Sequence, residues 1–114
     1  MIINIGEKLH VMRRRSFDGD LRRHFAGVVT EVEGATVRLQ GYAFIYDEAN
    51  NRYVRKPERR VTIIDVGNCG YVVNLIPSSV EIESLSYVKA YEKNLAITDG
   101  AEFSLDVNEF TASR

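Results

Sequence analysis

Cysteine is almost missing from this chain: Cys69 stands alone. A single thiol excludes an internal disulfide and most cysteine-based zinc sites, and it fits a reducing compartment. Set between Gly67 and Gly70, it reads as a small residue beside a turn rather than as a nucleophile. Histidine is nearly as scarce, with His10 and His24 only, too few for a histidine-rich metal site. Prolines number two against 45% apolar and 27% charged residues, so a folded chain rather than a disordered one is expected. No apolar run approaches the ~18 residues needed to span a bilayer. The opening MIINIGEKLHVM lacks the basic-then-apolar layout of a signal peptide, and a cytoplasmic protein is expected. Also absent are a serine nucleophile elbow and a Gly-rich phosphate loop followed by Lys-Ser/Thr.

What is present is short-period patterning over 114 residues, enough for one domain with a real core. Glu7 to Phe17 alternates apolar and polar residues, the period of a strand, with Met12 departing from it. Leu21 to Glu33 reads as its return strand, and Gly27 within it suggests a bulge or tight bend. Glu33-Gly34 then turns the chain into Ala35 to Tyr46, where Val37, Leu39 and Gly41 share a face. Residues 47–51 form a loop, Arg52 to Arg55 a short strand, and Lys56-Pro57-Glu58 a break. Arg60 to Val66 is β-branched and apolar on both faces, the mark of a central strand. Gly67 to Gly70 links it to YVVNLI, so a hairpin is expected there. Pro77-Ser78-Ser79 could N-cap a single helical turn. Tyr87 to Ile97 is mostly strand-like, Asp99-Gly100 is a type I′ kind of turn, and Glu102 to Val107 pairs back. Seven or more short strands without a long amphipathic helix predict an all-β, mainly antiparallel fold: a small closed or partly open β-barrel spanning residues 1–114, with at most one short helix.

Charge is uneven along the chain. Residues 1–60 hold 12 Lys/Arg against 8 Asp/Glu, and residues 61–114 hold 3 against 8. Such asymmetry suits an anion-binding face, or two halves of one barrel that neutralise each other. The basic residues concentrate in HVMRRRSFDGDLRRHFAG, residues 10–27, which reads as two strands joined at Asp18-Gly19. That turn would set Arg15 opposite Arg22, Arg14 opposite Arg23 and Arg13 opposite His24. Like charges directly opposite cost up to about 1 kcal/mol per pair, so the cluster calls for acidic neighbours or an anionic ligand. Arginine forks suit phosphate oxygens, which makes Arg14, Arg15, Arg22, Arg23 and His24 the candidate ligand-binding residues for a nucleotide, another phosphate-bearing ligand or a nucleic-acid backbone. The plainer alternative is pairing with Glu31, Glu33, Glu81 or Glu83 across the sheet. A second basic run, Arg52, Arg55, Lys56, Arg59 and Arg60 around Tyr53, has the composition of a single-strand-tracking surface, or of a solvated, charge-protected edge.

The order of these features resembles the FomD-like barrel family. The resemblance rests on Phe17, Asp18, Gly19, Leu21, Arg23, His24 and Phe25 for the family's "DG…HR(W/F)" opening, and on Asn74-Leu75-Ile76-Pro77 further on. Tyr87-Val88 sits where the family writes "Y-(I/V)-D", and Asp99-Gly100 with Leu105 to Phe110 is similar to its "DG…LDEDEF" close. The likeness covers roughly residues 10 to 110. It implies a barrel fold and relatives that hydrolyse nucleoside di- and triphosphates or nucleotidyl phosphonates with divalent metal. The family's "YxDxDxD" carboxylates fall here on Lys89, Tyr91 and Lys93, none of them an anionic ligand for a hard cation.

Three readings of function follow. The preferred expectation is a non-catalytic barrel, without a metal or other cofactor, that binds a phosphate-bearing ligand through the arginine hairpin. The alternative is a phosphohydrolase using Mg or Mn held by Asp99, Asp106 and Glu109, and a further alternative is a structural homodimer. Asp65 bears on the same choice, because a carboxylate buried in an apolar strand would mark a site.

Overall fold

The computed structural model describes residues 2–13, 22–68, 70–91 and 94–107. Among them are nine strands and one 3-10 turn: β1 (Lys8–Arg13), β2 (Arg23–Glu33), β3 (Thr36–Asp47), β4 (Arg52–Arg55), β5 (Arg60–Asp65), β6 (Tyr71–Ile76), the turn at Ile82–Ser84, β7 (Ser86–Tyr91), β8 (Asn94–Thr98) and β9 (Ser104–Asp106). All pairings are antiparallel. One sheet runs β4-β3-β2-β1-β6 with β5 also on β3, and a smaller one runs β7-β8-β9. The fold is all-β, and its sheets do not close into a barrel.

The long strands β2 and β3 carry the architecture. Gly34 at φ 59 opens their two-residue turn, a conformation that favours glycine. Gly27 lies opposite Gly41 further along the pair. A Cβ on Gly41 would come within 2.0 Å of the Ala26 carbonyl oxygen, so the two strands press together where side chains would hold them apart. A register shift between Val29 and Glu31 adds a bend two residues beyond Gly27. The bend expected from Gly27 thus comes from close approach at the glycine and a bulge beside it.

Coiling of this sheet creates two cores. On one face Leu9, Val11, Phe25, Val29, Val37, Leu39 and Ala43 pack together, flanked by Ile64 from β5 and Tyr71 and Val73 from β6. In a flat sheet β5 and β6 would lie about 19 Å apart, four strand spacings. Here a short link joins them through two tight turns, Asn68 N–H to the Asp65 carbonyl and Tyr71 N–H to the Asn68 carbonyl, both at 3.2 Å. The sheet therefore curls until its edges approach. On the other face Ala26, Phe44 and Ile76 meet Val80, Ile82, Leu85, Leu95, Ile97 and Val107 from the C-terminal half. Covered on both faces, β1 buries Leu9, His10 and Val11 in succession. Lys8 fastens the Pro77–Val80 turn to this layer by donating to the Ser78 and Val80 carbonyls.

Several expectations are corrected. β5 and β6 do not form a hairpin: β5 pairs with β3 and β6 with β1, on opposite sides of the sheet. The apolar run 60–66 is not a central strand either, since β5 is an edge with Val61 55% and Ile63 59% exposed. Its composition suited either place, and the coil of β3 decided between them. Asp99-Gly100 is part of a longer connection, in which Asp99 Oδ1 accepts the N–H groups of Ala101 and Phe103. The helical turn follows Glu81 rather than Pro77. The Asp18-Gly19 turn lies outside the described residues, but the register leading towards it is fixed. Met12, not Arg13, stands opposite His24, one residue from the expected pairing. A one-residue slip sends alternate side chains to the other face.

Candidate functional site

That slip places both histidines in the core face shared with the small sheet. His10 lies opposite Ala26 and His24 opposite Met12, so alternation puts the two imidazoles diagonally adjacent on one face. Their ring centroids are 5.2 Å apart. Tyr87, projecting from β7, inserts its hydroxyl between them, 2.8 Å from His10 Nε2 and 2.7 Å from His24 Nδ1. A hydroxyl has one proton to donate. His10 Nδ1 is buried without a partner, and an orphaned N–H is rarer than an orphaned lone pair. This assigns the Nε2–H tautomer to His10: His10 donates to Tyr87, and Tyr87 donates to His24 Nδ1.

Burial sets the charge states. Desolvation lowers His10 to about 4. Desolvation first, then His10 and Arg22, lowers His24 to about 3. Desolvation, with Tyr53 a smaller cause, raises the Tyr87 hydroxyl above its ordinary range. All three are neutral at pH 7, and their facing polar atoms are engaged with one another. His24 is thus a buried organiser of the site rather than a solvent-facing cation.

Above this trio lies an aromatic layer. Tyr53 of β4 packs against His24 with centroids 4.3 Å apart and against Tyr87 at 4.6 Å. Phe44 meets Tyr87 edge-on at 5.0 Å, and Tyr46 touches Tyr53 at 5.2 Å. Where β4 faces β7, an open groove of about 270 Å³ is lined by Phe44, Arg52, Tyr53, Val54, Arg55, Ser86 and Tyr87. Among the described residues two arginines stand in that lining and no carboxylate. Arg55 is held in place by the Tyr42 ring, 4.7 Å from its guanidinium carbon, and by donating to the Glu83 carbonyl at 2.7 Å. Arg22 lies 4.7 Å over the Tyr46 ring, which extends the basic rim towards the start of β2. Opposite Arg52 in register is Asp47, whose carboxyl is lowered chiefly by the Asn50 side chain and only in small part by Arg52.

The chain matches no family model, no curated protein and no solved structure.

The structure distributes the anticipated site residues as follows. Arg14 and Arg15 lie outside the described residues. Arg22 reaches the groove's rim, while strand alternation turns exposed Arg23 to the face opposite His24. Among the described residues the ion pairs are Arg38–Glu31, Arg59–Glu83 and Arg60–Glu58, so Glu31 and Glu83, two of the four anticipated glutamates, serve arginines other than Arg13, Arg22 or Arg23. Glu109, of the alternative metal set, is outside the described residues. Asp106 aligns with Ala96, whereas Asp99 follows the end of β8 with its Oδ1 engaged by the Ala101 and Phe103 N–H groups. Asp65 is exposed and accepts the Gly67 N–H, as a turn aspartate does.

Among the described residues the second basic run supplies Arg52 and Arg55 to the groove's lining, beside Tyr53. Phe44 reaches the groove through the β3–β4 ladder, opposite Arg55, whereas Ser86 and Tyr87 come to β4 only because the small sheet packs against the large one.

Proposed function

We propose that the chain is a non-catalytic β-sheet module that binds a phosphate-bearing ligand in the groove between β4 and β7. The observation that carries this reading is that Arg55 and Arg52 line a groove together with Tyr53 and Tyr87, Arg55 on the same face of β4 as Tyr53, with no acid among the described lining residues. Guanidinium forks bind phosphate oxygens bidentately, and each such charge-assisted bond contributes about 1.5–3 kcal/mol. The half-buried Tyr53 and Tyr87 rings in the lining offer accessible edges to a flat ring, which makes a nucleotide the favoured ligand class. The resemblance of residues 10–110 to a family that acts on nucleotides supports the same class.

Binding rather than hydrolysis is favoured because Asp99 Oδ1 is taken up by the Ala101 and Phe103 N–H groups, and because Lys89 falls where the family that the chain resembles writes a metal carboxylate. A cytoplasmic setting belongs to this reading and rests on the single cysteine, Cys69.

The test has two arms: calorimetric titration with nucleoside di- and triphosphates and with pyrophosphate, and phosphate release from the same panel with magnesium or manganese added. Saturable binding without release is the expected result. Absence of binding across the panel overturns the proposal, and release abolished by a chelator replaces it with a metal-dependent hydrolase.

A further inference from the structure

The edge strand β5 presents a second surface, remote in sequence from the groove's β7 wall and unused by it. Its sequence, Arg60-Val-Thr-Ile-Ile-Asp65, buries alternate residues only partly and leaves Val61 and Ile63 more than half exposed. Native edge strands usually carry lysine, proline or a bulge at such positions, because an apolar edge recruits another strand. Here none of these devices interrupts residues 60–65.

The backbone is poised for such pairing. Val66 N–H donates to the Ala35 carbonyl at 2.9 Å, which fixes the phase of the β5–β3 ladder. Hydrogen-bonded pairs alternate along an antiparallel ladder, so residues 60, 62, 64 and 66 bond towards β3. Residues 61, 63 and 65 then point their N–H and carbonyl groups to the other side. Among the described residues no strand pairs with that side.

We propose that this edge pairs antiparallel with the same edge of a second copy of the chain, with Val61 of each copy opposite Ile63 of the other. A twofold axis normal to the sheet keeps the exposed faces together, which requires odd residues to meet odd residues. Three such registers are short enough to consider. Setting Ile63 against itself puts Val61 opposite Asp65, and setting Val61 against itself puts Ile63 opposite Arg59. Only the register with Val61 opposite Ile63 matches apolar with apolar and places Asp65 opposite Arg59. The strand is self-complementary in hydrophobicity in that one alignment, and the outward-pointing groups of Val61 and Ile63 form reciprocal hydrogen-bonded pairs. The two curled sheets become one continuous sheet across the dimer.

The register has a distinctive consequence: Thr62 faces its own copy across the axis as a non-hydrogen-bonded pair, with Cα atoms about 4.5 Å apart. That spacing admits a disulfide. In a Cys69→Ser background, Thr62→Cys is expected to give a covalent dimer under oxidised glutathione. Sedimentation of the unmodified protein is expected to show a mass rising towards the dimer with concentration. Val61→Lys with Ile63→Lys is expected to weaken that association roughly tenfold or more while circular dichroism stays unchanged, since both side chains are exposed. A monomer at every concentration overturns the proposal. So does a dimer that survives the double lysine variant or fails to cross-link through position 62.

Discussion

Tyr87 Oη lies 2.7 Å from His24 Nδ1, and through that contact the small sheet is bolted to the large one beneath the groove. The same oxygen also meets His10 Nε2, so one hydroxyl serves two buried rings. Removing it strands both nitrogens without changing the shape of the ring that carries it. Tyr87→Phe is therefore expected to lower the unfolding free energy by about 1–3 kcal/mol, the cost of leaving buried polar groups unsatisfied. Urea unfolding would show this as a lower midpoint with an unchanged slope.

The same trio makes stability depend on acid. In the unfolded chain both histidines titrate near 6.5, whereas burial lowers them to about 4 and about 3 in the folded protein. The unfolded state thus binds more protons once pH falls below 6.5. Stability is fully present above that value and is lost as pH drops towards the folded values, by up to about 1.4 kcal/mol per pH unit for each histidine. Urea midpoints measured from pH 7.5 to pH 4.5 should fall most steeply below pH 6.5. His10→Gln with His24→Gln should flatten that slope.

Gly41 and Gly27 have a different role, that of letting β2 and β3 approach. A Cβ on Gly41 meets three backbone atoms of Ala26 and Gly27, the nearest at 2.0 Å, and backbone cannot swing aside as a long side chain can. Gly41→Ala is expected to cost about 3 kcal/mol or more. Gly6→Ala gives a contrast, because a Cβ there meets nothing within 4 Å and only its φ of +92° opposes the change. Thermal melts of the two variants should rank them in that order.

How far the sequence alone led can be judged from particular residues. The alternation of Val37, Leu39 and Gly41 announced β3, and Glu33-Gly34 announced its turn, because both signals are local. β5 was misplaced as a central strand because Val61 and Ile63 look the same whether buried or exposed. Its partner was misassigned because a Gly-rich link suits a hairpin and a coiled sheet's edge-to-edge crossing equally well. The histidines were undervalued for a similar reason. Their pairing depends on a register one residue away from the one that Asp18-Gly19 suggests, and on Tyr87, more than 60 residues further along the chain. Tyr53 and its flanking arginines were visible as a motif. What they face was not.

Arg55 should matter to ligand binding in a way that Arg38 does not. Arg38 is paired with Glu31 on an exposed face, whereas Arg55 is held by Tyr42 and the Glu83 carbonyl in the groove's wall. Arg55→Ala is expected to weaken nucleotide binding about tenfold or more, from the loss of one charge-assisted bond. Arg38→Ala should leave it unchanged in the same titration.

The most direct test of the groove is an amide-resolved NMR titration of the whole chain with a nucleoside diphosphate. Saturable shifts at Tyr53, Val54, Arg55, Ser86 and Tyr87 are predicted, with little change along β5. Shifts absent from these residues, or confined to the far side of the sheet, would contradict the account.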